Sequence, residues 1–254
     1  MSLSAREKQR RLRYGILSDI HSNFEALQAV LAEIDAIGVD AVLCLGDIVG
    51  YGPSPNECCD ALRARDVIAI AGNHDEAAVD GLGAERFNAL ARAAINWTQT
   101  KLTETNREYL ASLPRERAFD GFAIVHGAPV HHFEYIMDVH DAKRAFDLTG
   151  RSLTFVGHSH VAEVYYQDAT GRTYQQRLAH GGRIDIVPEF RYIVNAGSVG
   201  QPRDRNPQAS FAWYDSAMGI VEIRRLTYDV DRVQARIADT SLPPPLGERL
   251  TAGW

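Results

Sequence analysis

The chain repeats one pattern: a short apolar run ends abruptly in Gly or a polar residue, and Asp, Asn or His follows. Runs of four or five apolar, partly β-branched residues bounded in this way are typical of buried strands. The runs and the polar residues after them are Tyr14–Leu17 before Asp19 and His21, Val42–Leu45 before Asp47, Val67–Ala71 before Asn73, Phe122–Val125 before His126, and Leu153–Val156 before His158 and His160.

Helical patterns separate the first three runs. Apolar residues recur at helical spacing from Phe24 to Ile34, after the pair Ser22–Asn23 that can cap a helix start, and a second helix is expected over Pro55–Arg65. Alternating strands and helices predict parallel strands joined by right-handed crossovers. Parallel strands deliver their C-terminal ends to one edge of the sheet, where the ligands of open α/β proteins bind. The polar clusters are therefore expected to converge.

The rest of the chain is expected to complete one domain spanning 1–254. Residues 1–12 read as a basic, solvated leader, and 84–113 as two helices that form a cap beside the site, with Phe87, Leu90, Ala94 and Trp97 facing inward. After Arg151 antiparallel strands are expected over 163–167, 173–177, 183–187, 190–195, 209–214 and 220–226. A helix is expected over 229–238, and 240–254 is expected to be an irregular tail packed through Leu250 and Trp254.

Composition excludes several classes of protein. No run approaches the roughly 18 apolar residues that span a bilayer, and no signal-peptide core is recognised, so no membrane association is expected. The formal charge of -6 gives no basic field for long nucleic acid. Three cysteines, of which Cys58 and Cys59 are adjacent, predict free thiols in the reducing cytoplasm.

The polar clusters contain the residue types that bind metals. Asp19 and His21 are two apart, so at an extended strand end both side chains point to one side, and His158 and His160 repeat that spacing. A carboxylate with several imidazoles suits Mn, Fe, Co, Ni or Zn better than Ca or Mg. Each residue alone has a structural explanation, as a helix cap, a turn or a hydrogen-bonded histidine. All the clusters in this order are hard to produce by chance.

The order Asp-X-His, Gly-Asp, Gly-Asn-His-Asp, a lone His and Gly-His-X-His resembles the calcineurin-like metallophosphoesterase family over Ile16 to Arg203. The resemblance implies a four-layer α/β/β/α sandwich of two mixed β-sheets flanked by helices. It also implies two divalent metal ions (Mn, Fe, Zn, Co or Ni, with Mn favoured). By the family pattern one ion is held by Asp19, His21 and His160, the other by Asn73, His126 and His158, and Asp47 bridges both.

The resemblance also implies a mechanism, in which a metal-bridging hydroxide attacks the phosphorus directly. His74 matches the family's site-facing histidine and, as an imidazolium, would donate a proton to the leaving group. Asp75 matches the acidic residue that follows and is expected to help orient the His74 imidazole.

The substrate class is less constrained. The segment Gly46–Gly52 lacks the Asp-Arg-Gly of the phosphoprotein phosphatases, whereas Gly50–Pro55 and Asn195–Asp204 resemble the small bacterial phosphodiesterase branch. Arg203 is either a phosphate grip or a solvated loop residue, and Tyr51 either stacks on a substrate base or packs under its loop. His131, His132 and Tyr135 are expected to line the pocket, with the two histidines at the rim.

We therefore expect hydrolysis of phosphodiester or phosphoanhydride bonds in a small phosphorylated substrate, for which a nucleotide-like molecule is one option. The alternatives are a Ser/Thr phosphoprotein phosphatase or phosphomonoesterase, a nuclease acting on short ends, and a catalytically silent scaffold such as the retromer subunit that shares the family fold. Long nucleic acid and membranes are not expected partners.

Overall fold

The computed structural model describes residues 12–254, in which two mixed β-sheets of six strands each are flanked by helices. The first sheet has the spatial order β3-β2-β1-β11-β12-β9. Its strands are β1 (Arg13–Leu17), β2 (Ala41–Cys44), β3 (Ile68–Ala69), β9 (Gly182–Asp185), β11 (Ala209–Asp215) and β12 (Ile220–Leu226). Strands β1, β2 and β3 are parallel, whereas β11, β12 and β9 continue the sheet antiparallel.

The second sheet has the order β4-β5-β6-β10-β7-β8. Its strands are β4 (Glu116–Phe119), β5 (Phe122–Val125), β6 (Leu153–Val156), β7 (Ala162–Gln167), β8 (Thr173–Arg177) and β10 (Arg191–Ala196). Strands β5, β6 and β10 run parallel, and β4, β7 and β8 pair antiparallel at the two sides.

The helices cover the outer faces of the sheets and the ends of the strands. Their bounds are α1 (Phe24–Ile37), α2 (Pro55–Ala64), α3 (Asn73–Asp80), α4 (Ala89–Lys101), α5 (Glu104–Ala111), α6 (Val139–Leu148), α7 (Val230–Ala238) and α8 (Pro245–Ala252), with a short 3-10 turn at Ala84–Arg86. Helix α1 begins where the Asn23 side chain accepts the Ala26 N–H, and it ends at Gly38, whose φ of 71° is left-handed.

Strand alternation builds the layers. In β1, Ile16 packs between the two sheets with Phe155 and Val194, whereas Leu17 points to the other face and packs under α1 against Leu27. On the outer face of the second sheet, α6 buries Phe146 against Tyr165 and Ile193 of that sheet. The result is the predicted four-layer sandwich, and the fold class is confirmed.

Several local predictions need correction. The polar clusters come from the ends of strands in two sheets rather than one, and β10 runs parallel to β6 although antiparallel strands were expected after Arg151. Residues 240–254 are not an irregular tail, because α8 begins at Pro245, at a first-turn position that needs no backbone N–H. Leu250 is buried as expected, but Trp254 is 52% exposed, with the Arg205 guanidinium 4.9 Å from its ring centroid.

The remaining expectations concern the segment 84–113, the leader and membrane-spanning helices. The segment 84–113 contains α4 and α5, with Ala94 buried and Phe87, Leu90 and Trp97 half-buried against α7 and α8. Residues 1–11 of the expected leader lie outside the described part of the chain. Among the described residues, no helix is long and apolar enough to cross a membrane.

Candidate metal centre

The two sheets are joined at the C-terminal ends of their parallel strands by hydrogen bonds between the polar loops. His158 donates its backbone N–H to Asp19 Oδ2 at 3.0 Å, which links β6 to β1. His74 donates its backbone N–H to Asp47 Oδ1 at 2.8 Å, which links the start of α3 to the loop after β2. His126 Nδ1 donates to the Leu45 carbonyl at 2.8 Å, which links β5 to that same loop. The predicted convergence therefore occurs across both sheets.

The backbone is strained at these positions. Asp19, His21, Asp47, His158 and His160 all have left-handed φ values, between 49° and 66°. Such values are uncommon for residues other than Gly and cost free energy, so they persist only where the surrounding structure holds them, and they cluster at functional sites.

A first group of potential ligands consists of Asp19, His21, Asp47 and His160, whose donor atoms lie within 4.8 Å of one another. The Nε2 atoms of His21 and His160 are 3.1 Å apart. Asp19 Oδ1 lies 3.3 Å from His160 Nε2, and Asp47 Oδ2 lies 3.5 Å from His21 Nε2. All four side chains are buried. Two carboxylates and two imidazoles thus face one point with little access to water.

A second group shares Asp47 and adds His126 and His158, again with donor atoms within 4.8 Å. Asp47 Oδ2 lies 3.2 Å from His126 Nε2, which lies 3.1 Å from His158 Nδ1. Asn73 follows β3 and lines the same cleft as His158. Asp47 therefore stands between the two groups.

Hydrogen bonds fix the tautomer of three of these imidazoles. His21, His126 and His160 place Nδ1 at 3.1, 2.8 and 2.5 Å from backbone carbonyl oxygens. A carbonyl can only accept, so Nδ1 carries the hydrogen and a neutral ring has its lone pair on Nε2. Burial lowers the pKa of His21 and of His160, which favours that neutral form. The two lone pairs then face each other across 3.1 Å, an arrangement that a cation between them would stabilise.

Unpaired buried oxygens point to the same conclusion. Asp19 Oδ1 and Asn73 Oδ1 are buried and have no hydrogen-bond donor within the described residues. Burial raises the pKa of Asp19 to about 6. Burial would lower the pKa of His126, but the Asp47 carboxylate raises it to about 9, so positive charge is favoured between these two groups. Unsatisfied buried acceptors are costly, and imidazole nitrogens with carboxylate and amide oxygens are the ligands that transition metals accept. The donor set fits divalent cations.

His74 lies beside this cluster. Its ring centroid is 4.8 Å from that of His21, and the ring lies between Tyr51 and Phe87, each at 4.6 Å. Its Nδ1 is buried and has no hydrogen-bond partner among residues 12–254, and burial lowers the pKa of His74 to about 4.

Asp75 does not have the contacts expected of it. Its Oδ1 accepts the backbone N–H groups of Ile48 and Val49, at 2.9 and 3.1 Å, and its Oδ2 accepts that of Gly72 at 3.0 Å. At the third position of α3 the side chain turns back to the helix start, as in a capping box. These bonds go to backbone N–H groups rather than to the His74 imidazole, and they join the loops that carry Asp47 and Asn73. Burial raises its pKa to about 7.

Arg203 lies at the edge of the cluster rather than on a solvated loop. It donates to Gln201 Oε1 at 3.2 Å and to the Tyr51 hydroxyl at 3.4 Å, and its buried Nε has no partner in the described part of the chain. Tyr51 is 6% exposed, which favours packing under its loop over stacking on a substrate base. The Arg249 guanidinium from α8 lies 6.0 Å from the Tyr51 ring centroid. Arg249 belongs to no sequence motif, so its position here could not be predicted.

A cleft of about 460 Å³ adjoins the second ligand group and is lined by Asn73, Glu76, Leu82, Gly83, Glu85, Arg86, Phe87, Arg115, Phe133, Tyr135 and His158. Tyr135 lines it as expected, and its ring stacks on His158 at 3.8 Å. His132 instead pairs with Glu116, at 3.3 Å, and His131 lines a separate surface depression. Arg115 and Phe133 could not be predicted from the sequence, since neither belongs to a motif.

Comparison with known proteins agrees with this geometry. A family model described as the calcineurin-like phosphoesterase superfamily domain matches residues 12–218. A metallophosphoesterase structure from Sphaerobacter thermophilus is 38% identical, with 96% of this chain and 100% of that one covered and a TM-score of 0.85. An uncharacterized protein of Methanocaldococcus jannaschii is 37% identical over 246 residues, which is 94% of this chain and 97% of the relative. A hypothetical protein from Pyrococcus horikoshii, 23% identical over 95% of this chain and 98% of its own, shares the fold with a TM-score of 0.76.

Proposed function

The chain belongs to the calcineurin-like phosphoesterase superfamily, and we propose that it hydrolyses phosphodiester or phosphoanhydride bonds with the help of two divalent cations. The observation that carries the proposal is the pair of buried ligand groups that share Asp47. A single structural cation would need only one of these groups. Two groups joined by one carboxylate are the arrangement expected for a dinuclear hydrolase.

Each residue of the cluster would have a separate role. Asp19, His21 and His160 would hold one cation and Asn73, His126 and His158 the other, with Asp47 between them. When bound, the two cations supply Lewis acidity, which activates water and neutralises phosphoryl charge. Arg203 would hold a phosphoryl oxygen, because its guanidinium lies beside the cluster and its buried Nε has no partner among the described residues.

His74 would act at the leaving group. With a pKa lowered to about 4 by burial, its imidazole is neutral near pH 7 and can donate an N–H hydrogen bond to a phosphoryl oxygen. A bound phosphoryl anion would favour the protonated form, which can transfer a proton to the departing alkoxide.

The loops around the centre support the proposed substrate class. The segment Gly46–Gly52 has no arginine. Within it, the backbone N–H groups of Ile48 and Val49 donate hydrogen bonds to Asp75. The guanidinium beside the cluster comes from another loop, at Arg203. The absence of an arginine from Gly46–Gly52 favours a singly charged diester over the dianion of a phosphoprotein, which supports the diesterase branch.

Three further points are part of the proposal. Manganese is the proposed cation among Mn, Fe, Zn, Co and Ni, all of which accept imidazole and carboxylate ligands together. A small phosphorylated molecule is the proposed substrate. The three cysteines are free and buried, which fits a reducing compartment, and we propose the cytoplasm.

Hydrolysis by the Mn-loaded chain should be measured side by side for bis-p-nitrophenyl phosphate, a dinucleoside tetraphosphate and a phosphoserine peptide. We expect kcat/KM for at least one of the first two to exceed that for the peptide by about tenfold or more. A higher value for the peptide would move the protein to the phosphatase class.

The matched variants are Asp47→Asn and Asp35→Asn. Asp35 is exposed and pairs with Arg65 at 2.7 Å on the surface, so its change should leave activity and metal content intact. Asp47→Asn should lower turnover by about 10³-fold or more and reduce bound metal below the two ions per chain expected from elemental analysis. A folded wild-type chain that binds one ion or none would refute the dinuclear proposal.

A further inference from the structure

The cleft beside the candidate metal centre is larger than a phosphoryl group requires. Asn73 and His158 of the centre line its volume of about 460 Å³ together with Leu82, Phe87, Phe133 and Tyr135. Cavities of this size bind whole organic molecules. The cleft therefore has room for a substituent that is attached to the phosphoryl group.

The aromatic rings in the cleft are held in fixed orientations. Phe87 lies nearly parallel to the His74 ring, at 4.6 Å and 23°, and Tyr135 lies nearly parallel to the His158 ring, at 3.8 Å and 15°. Phe133 has the Arg115 guanidinium 5.4 Å from its ring centroid. Rigid aromatic rings give large contact area at a low cost in conformational entropy, which suits the stacking of another planar group.

The apolar surface of the cleft is open to solvent. Leu82, whose side chain is apolar, is 65% exposed, and Tyr135, whose ring is apolar, is 48% exposed. Exposed apolar surface that is contiguous with a site marks a binding surface more often than an isolated exposed side chain does.

The charged side chains in the cleft are paired with one another. Arg115 donates to both carboxylate oxygens of Glu76, at 2.6 and 2.9 Å, and Arg86 Nε lies 3.8 Å from Glu85 Oε1. Two arginines and two glutamates line the cleft, so their formal charges cancel. A second phosphate would therefore gain little binding free energy in the cleft, whereas an uncharged group would lose little.

We propose that this cleft binds a planar, uncharged aromatic ring of the substrate, a nucleobase or an aryl group, while the phosphoryl group lies at the metal centre. The inference rests on the proposed function, because it takes the ring and the phosphoryl group to belong to one molecule. It moves ring recognition from Tyr51, which is 6% exposed, to Phe87, Phe133 and Tyr135.

The test compares two competitors that differ only by a base. Adenosine 5′-monophosphate and ribose 5-phosphate carry the same phosphate and sugar, and each inhibition constant is measured against bis-p-nitrophenyl phosphate hydrolysis with Mn. We expect the nucleotide to bind at least about tenfold more tightly, the fold-change of one stacked base. Equal inhibition constants in the wild-type chain would overturn the inference.

Phe133→Leu keeps an apolar side chain but removes the ring. It should leave the inhibition constant of ribose 5-phosphate unchanged and bring that of adenosine 5′-monophosphate to within about twofold of it. The matched control is Phe190→Leu, because Phe190 is half-buried against Tyr166 and Tyr192 and does not line the cleft. A Phe133→Leu protein that keeps the full preference for the nucleotide would contradict the assignment.

Calorimetric titration with adenosine and with ribose, which lack phosphate, separates this inference from the proposed function. Adenosine binding that Phe133→Leu weakens about tenfold, in a chain that hydrolyses no phosphoester, would support the cleft and refute the function. Hydrolysis of diesters without any preference for adenosine over ribose, or for the nucleotide over the sugar phosphate, would refute the cleft and leave the function standing.

Discussion

Gly50 tests whether His74 acts through its position. Gly50 has a φ of +93°, and a Cβ added there would lie 2.4 Å from His74 Nδ1. An ordinary contact is about 3.5 Å, so Gly50→Ala should push the imidazole by about 1 Å. The ring cannot yield freely, because Tyr51 and Phe87 lie on it at 4.6 Å each.

A displacement of about 1 Å at a catalytic group can lower turnover by about 10²-fold, and we expect that loss for diesters with poor leaving groups. The positive φ should also lower the free energy of unfolding, by about 1–3 kcal/mol. Gly171→Ala provides the matched control, since Gly171 has a φ of +82° but an added Cβ there would have no atom of the described residues within 4 Å. It imposes similar backbone strain without a contact to the site.

The assay measures kcat for an alkyl diester, bound Mn and the urea midpoint for both variants. Gly50→Ala should lose turnover and keep its Mn, whereas Gly171→Ala should change only in stability. Turnover of Gly50→Ala within about twofold of the control would refute the positional reasoning, given the expected 10²-fold loss. Loss of Mn would show that the contact disturbs the ligands rather than His74.

Three further outcomes are expected. His74→Asn should lower turnover by about 10²–10⁴-fold for alkoxide leaving groups and much less for nitrophenolate, at unchanged metal content; an equal loss for both would indicate phosphate positioning. Burial raises the pKa of Cys44, Cys58 and Cys59, so a colorimetric disulfide reagent should titrate none of them rapidly at pH 8 until the chain is unfolded. Phe155 is fully buried between the sheets, so Phe155→Ala should cost about 3–5 kcal/mol in urea denaturation and Phe155→Leu under about 1.5 kcal/mol.

The strands that carry the site could be predicted because their signal is local. The runs Phe122–Val125 and Leu153–Val156 begin and end in the structure where the sequence places them. Both strands are buried along their whole length, so every residue must be apolar or small, and the polar residue that follows marks the exit from the core. The residues predicted to bind metal are adjacent to these exits, which is why a pattern of residue types was sufficient to predict that they lie close together.

The contacts of Asp75 could not be predicted in this way. Its position at the start of α3 predicts a bond to the Gly72 N–H, which the structure contains. Its bonds to Ile48 and Val49 depend on how closely the loop after β2 approaches α3, which is a tertiary contact between segments distant in the sequence. The family resemblance had suggested the neighbouring imidazole as its partner, whereas in the structure the backbone N–H groups of Ile48 and Val49 donate to its carboxylate.

The left-handed backbone at the ligands is likewise absent from the sequence, yet it decides how the site is held. The strain at Asp19 and His21 is balanced by hydrogen bonds from their own N–H groups to the carbonyls of Gly46 and Asp47, at 3.0 and 2.9 Å. Gly52 returns a bond to the His21 carbonyl at 3.0 Å. These bonds are between backbone groups and do not depend on a cation. The chain itself therefore fixes the ligand geometry, and free energy of metal binding can go into charge neutralisation rather than into ordering the loops.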